Sequence, residues 1–395
     1  MRKKAVRVLH VTRVPITVTA FLMPLLREHR LRGEAVSVAC TDGLEVAQIE
    51  EEGFEVHHFR LNRSLAVWNL TVALWDLSRI VRREHIDWVF THTPIASAVA
   101  RLASRIGGAR GTIYMAHGLP CGPHMARSTW LLWYVVERLL GWFTDGLITT
   151  NRYDYRLAWT RRFIRRRGNI FQVNGIGVHT GRFDRLRLET NARTVKEELG
   201  LAPDEPMVLL LARTLPDKGI REFLEAAHRL VKDRVSCSFA IGGEGPLDGE
   251  IGEFINRYNL HDRVVHLGWR RDAHRLITAC DLYVLPTYYP EGLPVSILEA
   301  MACGKPVVAT RHRGCEDEVV DGVTGLLVEP QDPGALANAM RTFIEDPDKA
   351  RSFGQAGRQR IDENFRIDQT TNMIIAAFDK ITTCHAALDN GSIAS

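Results

Sequence analysis

Two carboxylates, Glu291 and Glu299, stand eight residues apart in the segment PEGLPVSILEAMACGKPVVAT, residues 290–310. Eight helical residues turn about 80° beyond two full turns, so both can serve one site only if Glu291 sits in a loop before the helix that carries Glu299. Pro294 fits that division, because proline suits the first helical turn. The free N–H groups near Val295 and Ser296, with the positive end of the helix dipole, would then face a diphosphate. Glu291 would stand beside a sugar, and Glu299 within reach of ribose hydroxyls. The spacing alone fits equally well an amphipathic helix with a solvated glutamate at each end.

Further charges lie in LLLARTLPDKGIREF, where a strand ends near Arg213 and Lys218 falls in the short loop before a helix. Two cations at a strand C-terminus can neutralise a departing diphosphate, whose charge grows in the transition state, and so replace a metal. Lys218 equally fits a solvated loop lysine. The loop IGGEGPLDGE brings Gly243, Gly245 and Gly249 between a strand and a helix, a spacing close to a dinucleotide fingerprint. A hydride-transferring enzyme would want an acidic residue about 20 residues further on, where RVVHLGW supplies Gly268 instead. The glycines are therefore read as letting backbone approach a phosphate or nucleoside, or as a tight turn with no further role. In TIYMAHGL, His117 stands at a strand end, where its imidazole can bond a sugar hydroxyl, assist proton movement, or fill a structural place. His10, His92 and His124 are further histidines of the same kind.

No metal site is expected. The one Asp-x-Asp run, Asp346 to Asp348 in EDPDKA, reads as a turn between helices and follows no strand. Seven scattered cysteines without a CxxC pair speak against a disulfide framework or a structural zinc, and for a reducing cytoplasm. The opening MRKKAVRVLHVTRV lacks the apolar run and small-residue cleavage site of a leader peptide, so none is expected there. The stretch TWLLWYVVERLLGWF, Thr129 to Phe143, is broken by Glu137 and Arg138, and it falls short of the roughly 20 residues that span a bilayer. Together with LAVWNLTVALWDL and the basic run RRFIRRR, Arg161 to Arg167, it can lie against a membrane surface, or be core packing beside a solvated basic face.

These residues need a scaffold that holds several strand ends together. At 395 residues and 45% hydrophobic content, the chain exceeds one core, and two domains of about 150 to 200 residues are expected. VRVLHVT, AVSVAC, DWVFTH, GTIYMAHG and DGLITT read as buried strands separated by helical stretches, the first from about Val18 to Leu31. The run from Gly177 to Leu199 turns polar, and a second series follows: PMVLLLAR, CSFAIGG, RVVHLG, DLYVLP, KPVVAT and GLLVEP, again alternating with helices. The expected fold class is α/β, with two doubly wound domains at 1–185 and 186–372. A helical tail, 373–395, is expected to pack back on the first domain. Ligands bind at the strand C-termini of such sheets, so a cleft between the domains is the expected site. Charge is uneven: residues 1–185 carry 27 Lys and Arg against 15 Asp and Glu, and the remainder carries 24 against 32. A basic half fits contact with phosphates or an anionic membrane, or simply an arginine-rich solvated surface.

Taken together, EGLPVSILEAMACGKPVVAT, ARTLPDKG and the GGEGPL loop resemble glycosyltransferase family 4, of the GT-B fold, over nearly the whole chain. In the first half, VTRVPITVTAFLMPLL, THTPIASAVARLAS, YMAHG and FTDGLITTNRYDY look like the branch that assembles capsular and exopolysaccharide repeat units on a lipid carrier. The resemblance implies retaining transfer from a nucleotide diphosphate sugar, commonly a UDP-sugar. The implied acceptor is a polyprenyl-diphosphate-linked saccharide at the cytoplasmic membrane face, with no metal, no other cofactor and no nucleic acid involved. By position it makes Arg213 and Lys218 the diphosphate-binding pair, Glu299 the ribose contact, Glu291 the donor-sugar contact and His117 the active-site histidine. Gly243, Gly245, Gly268, Gly292, Leu293 and Val295 complete the donor site. It also implies a front-face reaction in which the leaving phosphate helps deprotonate the acceptor. After its His-Gly the chain departs from the branch with GLPCGPHMARSTW, and TRVPITVTAF replaces the Gly-Gly loop common elsewhere in the superfamily. Another enzyme of the same fold, a nucleotide-sugar epimerase or a disaccharide synthase, and a non-catalytic membrane-associated nucleotide-binding scaffold are the alternatives.

Overall fold

The computed structural model describes residues 5–62, 66–122 and 125–389, so His124 and the end of the expected tail lie outside the described residues. Seven strands form one parallel sheet: β1 (Arg7–Val11), β2 (Ala35–Cys40), β3 (Glu55–His58), β4 (Trp88–Thr91), β5 (Gly111–Ala116), β6 (Gly146–Thr149) and β7 (Ile170–Gln172). Six form a second: β8 (Met207–Leu211), β9 (Ser238–Gly242), β10 (Val264–His266), β11 (Leu282–Leu285), β12 (Val307–Thr310) and β13 (Gly325–Val328). Their orders are β3-β2-β1-β4-β5-β6-β7 and β10-β9-β8-β11-β12-β13. Strands such as WVFT, LYVL and VVAT are buried along their whole length, as expected where crossover helices cover both faces of a parallel sheet. Each order reverses direction once, between β1 and β4 and between β8 and β11. The strand C-termini splay there and leave room for ligands.

The chain forms two compact units, one ending at Ile176 and resuming at Ile367, the other running from Gly177 to Arg366. These divisions lie N-terminal to those expected at 185 and 372, for a packing reason at each. The polar run holds a helix, Thr180–Glu189, that buries Phe183 in the second unit's core and ties Asp184 to Arg358 at 2.6 Å. The last helix, Ile367–Asp389, is continuous and sets Ile374, Ile375, Phe378 and Ile381 against Val8, Trp88, Phe90 and Ile113 of the first unit. The helix expected from Val18 to Leu31 opens as a π-helix, Val18–Leu22, before Met23–Leu31. Pro24 accounts for the wide turn, since its ring displaces the carbonyl one turn earlier and it has no N–H to donate.

Candidate active site

In the second unit, the sheet reversal lies between the loops after β8 and β11. Lys218 ends a short 3₁₀ turn, Pro216–Lys218, and its Nζ is ion-paired with Oε1 of Glu291, both side chains being largely buried. Thr287 Oγ1 lies 3.3 Å from the same carboxylate oxygen. Beneath the pair lies Tyr289, whose ring centroid is 4.4 Å from Lys218 Nζ and 5.9 Å from Cζ of the exposed Arg213. The two loops are joined by backbone: the N–H groups of Tyr288 and Tyr289 both donate to Asp217 O at 2.9 Å. Gly219 follows with φ 75°, and a Cβ there would lie 2.1 Å from Pro286 O, so only glycine lets the loops approach this closely. Sequence reasoning placed both cations at the strand end. It missed the direct pairing of Lys218 with Glu291 and the aromatic floor, because 73 residues separate the paired side chains.

The glycine loop after β9 is stitched to the same β8 loop. Thr214 N–H donates to Glu244 O at 3.2 Å, Leu247 N–H to Thr214 O at 3.1 Å and Gly243 N–H to Gly268 O at 2.8 Å, which brings Gly268 beside the loop. Gly243 has φ 141°, and a Cβ would stand 1.8 Å from Ala212 O, whereas Gly245 would meet Thr214 O at 2.8 Å. Gly249 has open space around it and lies in the helix Asp248–Arg257, so it is no part of this close approach. Asp248, unnoticed in the sequence, closes the turn by accepting from Gly245 N–H at 3.1 Å and from the Thr214 hydroxyl.

Glu291 does precede the helix Val295–Ala302, with Pro294 as its N-cap and Glu299 within it. The N–H groups of Val295 and Ser296 open that helix, where no intrahelical acceptor exists. Glu299 Oε1 lies 3.0 Å from Nε2 of His274, whose Nδ1 lies 3.2 Å from an Arg182 guanidinium nitrogen. A guanidinium has no acceptor, so His274 accepts at Nδ1 and donates from Nε2 to Glu299. This fixes one Glu299 oxygen and leaves the other for a hydroxyl. A further carboxyl, Glu318, is fully buried with neither oxygen hydrogen-bonded among the described residues, and burial, then the charge of Glu291, push its pKa well above the usual carboxylate range. It is therefore held neutral.

His117 belongs to the first unit, one residue past β5. The loop it begins is tied down by buried Asp154, whose Oδ2 accepts from Leu119 N–H at 2.8 Å. Its Nε2 lies 3.3 Å from His92 Nδ1, and His92 Nε2 lies 3.0 Å from His10 Nδ1. Burial lowers the pKa of all three imidazoles, that of His117 to about 4.

Asp346 caps the helix Pro347–Asn364 by accepting from Lys349 N–H at 2.9 Å, and Asp348 pairs with Arg351, as suits a turn between helices. Among the described residues, one group could hold a metal, Glu55, His57 and Glu84 at the N-terminal end of β3, and it contains none of the donor-site residues. Among the described residues, the seven cysteines form no disulfide. Also among the described residues, no helix is long and apolar enough to cross a membrane.

One face of the first unit is apolar and exposed. The helix Arg127–Leu140 presents Leu131, Leu132, Val135 and Leu139 to solvent, and the helix Val67–Arg83 presents Trp68 and Trp75. Between them runs a groove of about 500 Å³, lined by Leu70, Leu74, Val99, Trp133 and Val136 among others. Glu137, which interrupts the apolar stretch, points inward and pairs with buried Arg101 at 2.9 Å, so it does not mark the outer face. Exposed Arg161, Arg162, Arg165 and Arg166 follow in sequence, with Arg165 4.8 Å over the exposed Trp142 ring.

Comparison with known proteins gives a consistent picture. Residues 191–360 match the family model of glycosyl transferases group 1, and residues 10–151 match glycosyl transferase 4-like. The chain is 29% identical to EpsD of Bacillus subtilis over 92% of its own length and 94% of that protein's. It is 25% identical to the UDP-Gal:alpha-D-GlcNAc-diphosphoundecaprenol alpha-1,3-galactosyltransferase of Escherichia coli, over 72% of this chain and 73% of that one. The crystal structure of Anabaena Alr3699/HepE with UDP-glucose superposes with a TM-score of 0.77 at 22% identity, over 95% of this chain and 99% of that one.

Proposed function

We propose that this chain is a member of glycosyltransferase family 4, with the GT-B fold, that transfers a sugar from a UDP-sugar to a polyprenyl-diphosphate-linked saccharide, retaining the anomeric configuration and using no metal. The place of action is the cytoplasmic membrane face, and the product a surface polysaccharide. The observation that carries this reading is the convergence of Arg213, Lys218 and Glu291 at the sheet reversal, over Tyr289 and next to the helix that bears Glu299.

An entering diphosphate competes with Glu291 for Lys218, and Arg213 stands on the same ring to share its charge. As the glycosidic bond breaks, negative charge builds on the β-phosphate, where two preplaced cations stabilise the transition state more than the ground state. Glu291, released from Lys218, can accept hydrogen bonds from the donor sugar's hydroxyls. A carboxylate engaged in this way is poorly placed as a covalent nucleophile, which supports front-face transfer with the leaving phosphate taking the acceptor's proton. Glu299, oriented by His274, receives the ribose hydroxyls.

For the acceptor, the Escherichia coli relative's name couples a UDP-sugar donor with a diphosphoundecaprenol-linked acceptor. The exposed tryptophans and leucines beside four arginines support the same reading, since such a face suits an anionic bilayer. Titration of UDP-sugars in EDTA tests the diphosphate assignment. Lys218→Ala is expected to weaken binding of UDP-sugar and UDP alike while leaving that of uridine unchanged, and undiminished UDP affinity would remove Lys218 from the site.

A further inference from the structure

His10, His92 and His117 come from neighbouring strands of the first sheet, and the register places them on one diagonal. His10 on β1 is level with Phe90 of β4, and His92 lies two residues beyond Phe90. Thr91 is level with Tyr114 of β5, so His92 extends to the level of Met115, and His117 lies two residues beyond that. Steps of two keep all three side chains on one face of the sheet. The rings follow one another at centroid distances of 5.3 Å and 5.6 Å, with nitrogens facing at 3.0 Å and 3.3 Å. Phe90 stacks on both inner rings at 5.0 Å, and those two rings are buried, whereas His117 is partly exposed.

A neutral imidazole carries one proton, so each hydrogen bond in the row dictates the next. The inner end decides the direction. His10 Nε2 is buried and has no hydrogen-bond partner among the described residues. A proton there would be an orphaned buried donor, which proteins tolerate less well than an unfilled acceptor. The His10 proton is therefore on Nδ1 and is donated to His92 Nε2. His92 must then carry its own proton on Nδ1, which it donates to His117 Nε2. All three rings are neutral at pH 7, because burial holds each below its ordinary pKa.

We propose that His10 and His92 are positioning residues that lock His117 in the Nδ1–H tautomer, so that His117 meets substrate as a hydrogen-bond donor and not as a base. The direction is imposed from the interior, where the unpartnered Nε2 of His10 ends the row. His117 acts on a substrate oxygen, accepting no proton from it, and the acceptor's proton leaves by the phosphate. This last consequence rests on the function proposed above; the tautomer does not.

The test is histidine-selective ¹⁵N NMR of the full chain from pH 6 to 8, with assignment by His10→Phe, His92→Phe and His117→Gln. His117 is expected to show a pyridine-like Nε2 and a pyrrole-like Nδ1. In His92→Phe the ring is released and the signature shifts toward Nε2–H, while His92→Asn, whose amide can donate from near the Nδ1 position, restores it. A wild-type His117 protonated on Nε2 would overturn the proposal, and so would a His117 signature unmoved in a folded His92→Phe. If His92→Phe does not fold, the wild-type spectrum alone decides. With UDP-sugar transfer measured in parallel, a turnover loss of about tenfold in His92→Phe, recovered in His92→Asn, is expected. Absence of any transfer would strike the functional reading and leave the tautomer result standing.

Discussion

Lys218 and Glu291 are ion-paired above the ring of Tyr289, whose centroid lies 4.4 Å from the ammonium. Each group in the pair also has a second use: the cation is wanted by a diphosphate and the carboxylate by sugar hydroxyls. The two uses are compatible only if donor binding divides the pair, so the two residues should respond oppositely to substitution.

Glu291→Gln keeps the size of the side chain and removes its charge, leaving Lys218 unopposed. UDP is expected to bind at least as tightly as to the parent in calorimetric titration, while the transfer rate falls by about 100-fold, the scale of losing one oriented group in a transition state. Weakened UDP binding would show that Glu291 holds the loop together and does not compete for Lys218.

Gly243 and Gly249 separate close approach from mere glycine spacing. Gly243→Ala would place a Cβ 1.8 Å from Ala212 O at φ 141°, so it should cost stability well beyond a surface change and abolish donor binding. Gly249→Ala enters open space in a helix and should raise stability by about 0.5–1 kcal/mol. Urea unfolding of the two variants checks both signs, and equal destabilisation would contradict the distinction.

Acid should destabilise the first unit through its histidines. The folded pKa values of His10, His92 and His117 lie below the unfolded value of 6.5, that of His117 at about 4. Their contribution is therefore complete above 6.5 and is lost as pH falls, by up to about 1.4 kcal/mol per pH unit for each ring. Glu318 has the opposite sign: its raised folded pKa means stability is lost as pH rises from 4.5, so Glu318→Gln should stabilise more at pH 8 than at pH 5. Urea midpoints measured at both pH values report each effect. A Glu318→Gln variant, free of the opposing carboxyl, that is equally stable at pH 8 and pH 5 would contradict the first.

The apolar face predicts membrane binding of two components. Sedimentation with anionic vesicles should fall as salt rises and in Arg165→Ser/Arg166→Ser. Trp68→Ser/Trp75→Ser should weaken it at every salt concentration, because it removes buried area and not charge. Binding that ignores all four substitutions would exclude this face as the contact.

Much of the scaffold was legible because its strands are short Val, Ile and Leu runs bounded by turns, and a parallel sheet buried on both faces requires them. The loop position of Glu291 was legible in part: Pro294 and the helical angle to Glu299 pointed to it, while the spacing alone fitted a glutamate at each end of one helix equally well. What stayed hidden depends on distant pairings. The histidine row exists only once β1, β4 and β5 are in register, and His274 reaches Glu299 from a helix of its own. The unit boundary was placed too late because half of the residues of Thr180–Glu189 are charged and the helix anchors itself by Phe183.

Retaining, metal-independent transfer is tested by product analysis with one UDP-sugar and a polyprenyl-diphosphate-linked acceptor in EDTA, the new linkage being read by NMR. Transfer is expected without added metal, with the α-configuration of an α-linked donor preserved. A β-linked product, or transfer abolished by EDTA and restored by a divalent cation, would contradict it.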